Sequence, residues 1–404
     1  MPDLMPEPLT EPLTEQVVRA PVGAAPFLRR EADRASRNAA ITLGLTLPGD
    51  TVLYLILPLH AAAFGVSLPE AGILLAANRL VRIAGYGWVA RGYERFGPRG
   101  ACLLAALGAA ASTLGYALLS GVEALVVARL LWGLSFAALN IATQALATVE
   151  SDRAARRSGK ARAIISAGPM LGLLAGAMLA EAVGPRTVFL ALAAIALLAL
   201  PVAVRLPGGR GQAVLSRRRR IGLPAPLDLW SFIQGLTLDG VFVVGLSLLA
   251  SAASPKGATL AAGAALSLRY LAEIVLGPPS GLAGERWGAA RTMIVVSLLS
   301  SAGYAAICGG WIWTGIIAIV LLRGVLAPLP APVAAIVYPG AARVPAIARL
   351  ATWRDLGAGI GPMLAGAILP VAPTALYAAA GLALAAATVF LALTLFKAGD
   401  ADAT

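Results

Sequence analysis

Long apolar segments recur along the whole 404-residue chain. Each is about 20 residues long, the length that crosses the hydrocarbon core of a bilayer as an α-helix. Hydrophobic residues make up 59% of the chain and charged residues only 13%, a balance that excludes a soluble globular domain. The pattern predicts an all-α membrane protein with twelve transmembrane helices. The predicted segments are 40–63, 67–90, 99–120, 123–147, 162–183, 186–205, 227–250, 258–282, 290–309, 312–338, 346–369 and 373–396.

The positively charged residues favour one orientation of these segments. Most of the 32 Lys and Arg residues fall on the side of the membrane that holds both termini, whereas Arg186 and Lys256 fall on the opposite side. Cytoplasmic loops of membrane proteins carry such an excess. We therefore expect a multi-pass protein of the cell (inner) membrane with both termini in the cytoplasm. This placement explains the net charge of +12 without a nucleic acid as partner.

The second half of the sequence repeats the first. Gly168-Pro169-Met170-Leu171 in the fifth segment matches Gly361-Pro362-Met363-Leu364 in the eleventh. Parallel repeats of this kind build transporters whose halves enclose a site near the middle of the bilayer. The predicted organisation is a disordered cytoplasmic tail at 1–38, six-helix bundles at 39–205 and 227–396, a basic cytoplasmic linker at 206–226 and a cytoplasmic C-terminal tail at 397–404.

A charged turn occurs at the same place in both halves. The copies read Glu94-Arg95-Phe96-Gly97 and Glu285-Arg286-Trp287-Gly288, each between two apolar segments. The turn resembles the signature of the major facilitator superfamily, Gly-x-x-x-Asp-Arg-x-Gly-Arg, with Glu for Asp and, in the first copy, Ala90 for the leading Gly. The resemblance implies that family's fold, two six-helix pseudo-repeats around a central site with alternating access. It assigns a conformational switch, which locks the cytoplasmic ends, to Glu94, Arg95, Gly97, Gly281, Glu285, Arg286 and Gly288.

Small residues on the fifth and eleventh segments form a second motif. Glycines four residues apart lie on one helix face and let a neighbouring backbone come close, and proline bends the helix. In the superfamily that the turn resembles, a Gly-Pro signature on the fifth helix is associated with antiporters that export solutes against proton entry. The predicted helix-packing motif comprises Gly168, Pro169, Gly172, Gly176, Gly361 and Pro362.

Eight charged residues lie at membrane depth within the predicted segments. Each costs about 2.5–3.5 kcal/mol there, so we expect them to pair with one another or to face a wet cavity. Arg269 and Glu273 are four residues apart on one helix and can pair, either as a structural ion pair or as part of a gate. The eight residues are Asp50, Arg79, Arg82, Arg129, Asp239, Arg269, Glu273 and Arg323.

Three of these charges are candidates for proton coupling. Asp50 and Asp239 occupy the first and seventh segments, which correspond to each other in the repeat. A carboxylate gains and loses a proton when its solvation changes and when an arginine approaches or leaves it. Arg129 resembles the arginine that has this role on the fourth helix of many proton antiporters. A structural ion pair and a contact with the solute remain open as alternatives for Asp50.

The same charges predict the chemical class of the solute. Five arginines against three acidic residues leave an excess of positive charge in the predicted cavity. A cavity with this balance favours an anionic or carboxylate-bearing solute over an organic cation. The predicted lining of the cavity comprises Asn78, Arg79, Arg82, Asn140, Arg269, Glu273 and Arg323.

Several other classes of function lack their sequence signatures. The chain has no Gly-x-x-x-x-Gly-Lys-Ser/Thr loop for ATP, and its single histidine and two cysteines argue against a metal cluster or a nucleophile–base arrangement. We therefore expect a monomeric secondary transporter, not an enzyme, with a small solute and protons as partners and with no cofactor or metal. Proton-driven export is the first expectation, uptake by symport or uniport is the second, and a non-transporting membrane scaffold or sensor is the rival from another class.

Overall fold

The structure is a computed structural model that describes residues 25–209, 224–253 and 258–401. Its regular elements in these ranges are helices. Short 3-10 helices lie at Ala61–Phe64, Ser151–Arg153 and Gly340–Ala342, and a π-helix lies at Gly235–Val241. The α-helices are α1 (Ala25–Thr46), α2 (Pro48–Leu59), α3 (Leu68–Leu118), α4 (Val122–Ala147), α5 (Ala154–Val183), α6 (Pro185–Leu197), α7 (Ala199–Val204), α8 (Pro226–Gln234), α9 (Phe242–Ala253), α10 (Ala258–Trp287), α11 (Ala289–Cys308), α12 (Ile312–Leu326), α13 (Pro330–Val337), α14 (Arg343–Ile368) and α15 (Pro373–Ala401).

These helices account for the twelve predicted segments. Within the described ranges, eight stretches are long and apolar enough to cross a membrane, and the bent pair α12–α13 makes a ninth if it is one span. One of the eight, Pro69–Leu118, holds two segments because Gly97 interrupts the helix. The helices α10 and α14 have 30 and 26 residues, so at about 1.5 Å per residue each is also long enough to span. The twelve-helix, all-α prediction is confirmed.

The helices form two bundles, each around its own apolar core. Helices α1–α7 enclose the cores of the first bundle, and α8–α15 enclose that of the second. The cores meet at small side chains: Ala155 of α5 packs into the second core, and Ala348 and Ala351 of α14 pack into the first. Alanine lets the two bundles approach each other without interlocking.

Glycines bring helices into backbone contact at equivalent places in the two bundles. A Cβ atom on Gly168 of α5 would collide with the carbonyl oxygen of Gly44 on α1. A Cβ atom on Gly361 of α14 would collide with the carbonyl oxygen of Leu236 in the π-helix. Both positions therefore require glycine, and the repeated Gly-Pro motif makes the same contact in each half.

The two bundles touch each other on one side of the molecule. We call it the basic side because Arg91, Arg95, Arg153, Arg286 and Arg343 lie there, at or near helix ends. Helices α5 and α10 cross at glycines on this side, with a Cβ on Gly281 reaching within 2.6 Å of the backbone oxygen of Ala155. On the opposite side, α2 and α9 pack chiefly against helices of their own bundles. The space between the bundles is therefore closed on the basic side and open on the other.

The beginning of the chain differs from the expectation. Residues 25–38, predicted to be part of a disordered tail, form the first turns of α1. Asp33 accepts a hydrogen bond from Arg157 Nε at 2.6 Å, and Arg29 lies 3.8 Å from Asp152. These ion pairs hold the early turns of α1 against the start of α5. The rest of the predicted tail (1–24), most of the linker (210–223) and residues 402–404 lie outside the described residues.

Candidate functional site

A cavity of about 580 Å³ lies between the two bundles. Sites for small molecules typically have about 300–1,000 Å³. Apolar side chains of α2, α5 and α10 line the part toward the open side, and charged side chains line the part toward the basic side. The polar lining residues are Asp50, Thr51, Tyr54, Asn78, Arg79, Arg82, Tyr86, Asn140, Arg162, Ser166, Asp239, Arg269, Tyr270, Arg323, Arg354 and Asp355.

The first charged group is the pair of Asp50 and Arg129. Asp50 lies in the first turn of α2, just after the break that Pro48 introduces, and Arg129 comes from α4. The fully buried Arg129 donates to the Asp50 carboxylate, and its Nε donates to the carbonyl oxygen of Leu74 at 3.0 Å. The Asn78 amide of α3 donates to the two carboxylate oxygens at 3.2 and 3.4 Å. Asp50 thus has one guanidinium partner, with an amide beside it.

Asp239 occupies the corresponding place in the second bundle, in the π-helix. It has two guanidinium partners. Arg323 of α12 donates from Nε to Oδ1 at 2.9 Å, and Arg354 of α14 donates from Nε to Oδ2 at 2.8 Å. Gln234 donates to Oδ2 at 3.3 Å. Adding a proton to Asp239 would disturb two charged contacts, whereas adding one to Asp50 would disturb one.

Glu273 of α10 is fully buried and links the two bundles. Arg162 of α5 donates to both of its oxygens, at 2.9 and 3.0 Å. Ser166, one turn further along α5, donates to Oε2 at 2.5 Å. Arg323 of the same bundle donates to Oε1 at 2.6 Å. A two-pronged guanidinium contact of this kind is among the strong polar contacts in proteins.

The ion pair that Arg269 and Glu273 could form along α10 is not present among the described residues. The oxygens of Glu273 are occupied by donors from α5 and α12. Arg269 instead lies over the ring of Tyr270, 5.0 Å from its centroid, and donates to the Tyr270 hydroxyl at 3.3 Å. Its Nε is buried without a hydrogen-bond partner. Tertiary neighbours therefore decide the partner of Glu273, and the helical spacing does not.

Three residues on one face of α3 reach across to α14. Arg82 lies 3.1 Å from Asp355 Oδ2, and the Tyr86 hydroxyl donates to the same oxygen at 2.9 Å. Arg79 donates to the carbonyl oxygen of Ala358. Because these three residues lie three and four positions apart, they share a helix face and contact successive turns of α14.

Positive charge exceeds negative charge around the cavity. Each carboxylate has an arginine within ion-pair distance, whereas Arg79 and Arg269 have no carboxylate partner in the described part of the chain. These two guanidinium groups are therefore the cavity arginines without an ion pair among the described residues. The seven arginines are Arg79, Arg82, Arg129, Arg162, Arg269, Arg323 and Arg354, and the four acidic residues are Asp50, Asp239, Glu273 and Asp355.

A second cavity of about 80 Å³ lies between the first and the basic side. Arg162, Asp239, Arg323 and Arg354 line both cavities, so the charged cluster forms the partition between them. Asn140 also lines both cavities. A solute that crossed from one cavity to the other would have to part this cluster.

The charged turns place a glycine in left-handed backbone in both copies. Gly97 has φ 70° and Gly288 has φ 90°, a region that favours glycine because it has no Cβ. Each glycine separates two helices, so the next helix starts in a new direction. In the described residues neither Glu94 nor Glu285 forms an ion pair, and Glu285 is exposed. Their carboxylates therefore form no lock between the bundles in this conformation.

Arg343, the first residue of α14, makes the closing contact at the basic side. It donates to the carbonyl oxygen of Thr148 at 2.6 Å. Thr148 is the C-cap of α4, where the last carbonyl groups lack intrahelical donors. A guanidinium at a helix C-terminus is favourable for that reason and because of the helix dipole. This contact joins the second bundle to the first.

The sequence prediction missed three charged residues of the cavity. It placed Arg162 and Arg354 among the loop charges of the basic side and did not single out Asp355. All three lie inside the fifth and eleventh predicted segments. These residues can be identified from the sequence because each is a charge inside an apolar membrane segment, and such a charge must be paired or hydrated. Tyr86 carries no comparable signal, since a tyrosine in a membrane helix is uncharged and common.

The sequence matches the model of the Major Facilitator Superfamily over residues 39–254, more than half of the chain. The chain belongs to the major facilitator superfamily. The members of this superfamily are transporters and not enzymes. The protein is therefore a multi-pass membrane transporter of a small solute, and the cavity between its bundles is the place where a solute can be held.

Two solved structures share this superfamily fold. The human organic anion transporter MFSD10 (TETRAN) superimposes with a TM-score of 0.71 at 18% identity, over 89% of this chain and 99% of that chain. The superfamily transporter FucP, in the outward conformation, gives a TM-score of 0.68 at 14% identity, over 89% of this chain and 98% of that chain. At these identities the similarity shows the fold alone. No curated protein matches the sequence.

Proposed function

We propose that this transporter moves a small organic anion with a carboxylate group by alternating access. The observation that carries the proposal is the pair of cavity arginines, Arg79 and Arg269, that lack a carboxylate partner among the described residues. An anion between the bundles would supply the missing negative charge, whereas an organic cation would add to the excess of positive charge. The similarity in fold to an organic anion transporter agrees with this solute class.

The links between the bundles describe the conformational cycle of the proposed mechanism. With the basic side in the cytoplasm, the cavity faces outward in this structure. Opening toward the cytoplasm requires the separation of Arg162 from Glu273 and of Arg82 from Asp355. Both pairs join different bundles, so rocking one bundle against the other separates them together. The smaller cavity then becomes continuous with the larger one.

In this mechanism Asp50 is the proton-coupling residue and Arg129 is its partner. Asp50 lines the cavity and has one guanidinium contact, whereas Asp239 is held by two. Proton entry then drives export of the anion, as the Gly168-Pro169 resemblance to antiporters suggests. A single charge that moves across 100 mV supplies about 2.3 kcal/mol. Export is therefore the direction that we assign to the transporter.

Counterflow in proteoliposomes tests the solute class. Hippurate and glutarate serve as anionic probes, and their uncharged amides serve as controls of nearly the same shape. We expect the carboxylates to exchange at least about tenfold faster than the amides, the equivalent of about 1.4 kcal/mol. Equal rates for acids and amides, or preferential exchange of tetraethylammonium, would contradict the proposal.

A pH gradient tests the coupling in the same vesicles. Vesicles are loaded with the carboxylate that exchanges fastest, and the outer pH is lowered. Export in antiport predicts that the carboxylate leaves faster as protons enter and that, when its concentration starts equal on both sides, it accumulates outside. If the carboxylate moves in the same direction as the protons, the transporter is a symporter. If it responds to neither sign of gradient, the transporter is a uniporter.

A further inference from the structure

Helix α14 contains a carbonyl group that its own backbone cannot satisfy. Pro362 lies inside the helix and has no N–H. Ala358, four residues earlier and buried, therefore lacks its usual intrahelical donor. An unpaired buried carbonyl costs roughly 1–3 kcal/mol. The group needs a donor from elsewhere.

Arg79 of the other bundle provides that donor. It donates to the Ala358 carbonyl oxygen, and both residues line the large cavity, so a solute can reach the contact. The other described links between the bundles in the cavity wall end on carboxylates, and they come from Arg162, Ser166, Arg82 and Tyr86. The Arg79 link is different because its acceptor is uncharged.

An uncharged acceptor makes this link open to competition. A carboxylate carries a full negative charge and can accept two parallel hydrogen bonds from a guanidinium, whereas a backbone carbonyl carries only a partial charge. A carboxylate in the cavity therefore displaces the Ala358 oxygen more readily than it displaces Glu273 or Asp355 from their arginines. The links of Arg162 and Arg82 resist the solute, and the link of Arg79 yields to it.

We propose that Arg79 binds the carboxylate of the solute and that this binding releases α14 from α3. The inference rests on the proposed anion transport and adds the step that couples loading to the loosening of the basic side. In it, Pro362 does more than bend the helix: by removing one N–H, it creates the acceptor that holds Arg79 until an anion arrives. The freed Ala358 carbonyl is then hydrated from the cavity.

A double-mutant cycle between Pro362 and Arg79 tests the inference, with radiolabelled hippurate and glutarate as probes. Pro362→Ala gives the Ala358 carbonyl its intrahelical N–H donor, frees Arg79 and should raise the affinity about fivefold, the equivalent of about 1 kcal/mol. Arg79→Gln should lower it at least about tenfold, the equivalent of about 1.4 kcal/mol. The double variant should match Arg79→Gln, because Pro362 acts only through Arg79. Additive effects, or no gain from Pro362→Ala, would overturn the inference.

Pro169→Ala is the matched control. Pro169 is the equivalent proline of α5, and no side chain in the described ranges donates to the carbonyl of Ile165, four residues before it. This variant also straightens a helix, yet it should leave the affinity unchanged. Size-exclusion chromatography checks that each variant folds, and Pro362→Ser replaces Pro362→Ala if the latter does not.

A second readout needs no solute and separates failure of the inference from failure of the proposed function. A cysteine introduced at Ala147, which lines the smaller cavity, reports opening of the basic side. Pro362→Ala and Arg79→Gln should each raise its labelling rate about fivefold or more, and Pro169→Ala should not. If labelling changes but no carboxylate binds, the link exists and anion transport is wrong. If carboxylates bind but labelling is unchanged, anion transport stands and the release step is wrong.

Discussion

At the residue scale, the centre of the molecule is a set of carboxylates each held by guanidinium groups. Removing one partner of a buried ion pair destabilises a protein by about 3–5 kcal/mol, because it leaves an uncompensated charge. Asp50 has a simple environment, since Arg129 is its one ion-pair partner in the described chain. Asp239 shares Arg323 with Glu273, so its contacts cannot change alone.

Asp50→Asn should abolish transport driven by a pH gradient and leave exchange without a gradient partly intact. The amide keeps the shape of the side chain and cannot gain or lose a proton. Arg129→Ala should abolish both activities, because it leaves a carboxylate unpaired and removes a fully buried side chain. Gradient-driven and gradient-free flux of the same carboxylate in proteoliposomes separates the two effects. If Asp50→Asn still responds to the gradient, Asp50 is structural and Asp239 takes its place in the mechanism.

At the element scale, irregular turns of the helices carry three polar groups of the site. Asp50 follows the break between α1 and α2, and Asp239 lies in a π-helix. The Ala358 carbonyl lacks an intrahelical donor because Pro362 lies four residues after it, and it accepts from Arg79 instead. A regular α-helix satisfies its own backbone and presents only side chains to a cavity. Single-turn π-helices often occur at functional sites, and this one aims Asp239 toward two arginines.

Gly97→Ala tests the charged turn between the two halves of α3. A residue with a Cβ at φ 70° is strained by about 1–3 kcal/mol, so the variant should unfold at a lower temperature. Gly92→Ala is the control, because Gly92 lies within the helix and a Cβ there meets nothing within 4 Å. It should be neutral or stabilising by up to about 1 kcal/mol. Thermal unfolding in detergent compares the two, and an equal loss of stability would show that left-handed backbone is not the reason for Gly97.

At the scale of the whole molecule, the two bundles are similar in fold and unequal in charge. The pair of Asp50 and Arg129 stands alone in the first bundle. In the second, Asp239, Arg323 and Glu273 form one cluster that extends to Arg162 of the first bundle. We propose that the bundles have different roles because of this inequality. The first offers an isolated titratable pair, and the second holds the links that keep the basic side closed.

Arg343→Gln should open the basic side, because Arg343 joins α14 to the end of α4. A cysteine at Ala147, in a background without Cys102 and Cys308, should then be labelled about fivefold faster or more. The control is Arg349→Gln on the same helix. Arg349 pairs with Asp228 of its own bundle at 2.7 Å, so its loss should not change the labelling rate. Equal acceleration by both variants would mean that α14 has been destabilised as a whole.

The number and length of the apolar segments by themselves determined the fold class of this protein. A chain in a bilayer must satisfy its backbone within each crossing, so twelve apolar segments lead to twelve helices. The spacing of two similar charged turns further indicated two repeated halves. Charges at membrane depth identified Asp50, Arg129 and Asp239 as residues that need partners, because burial of an unpaired charge is unfavourable in any arrangement of the helices.

Only the tertiary structure decided which charges meet. Helical spacing allowed Glu273 to pair with Arg269, but Arg162 and Arg323 approach it from other helices and occupy its oxygens. The contact of Arg79 with Ala358 joins residues 279 positions apart, and its acceptor exists because of a proline. Such pairings depend on how whole bundles pack. The energy of each ion pair is set by the distance between charges on different helices, and the sequence of one helix does not determine that distance.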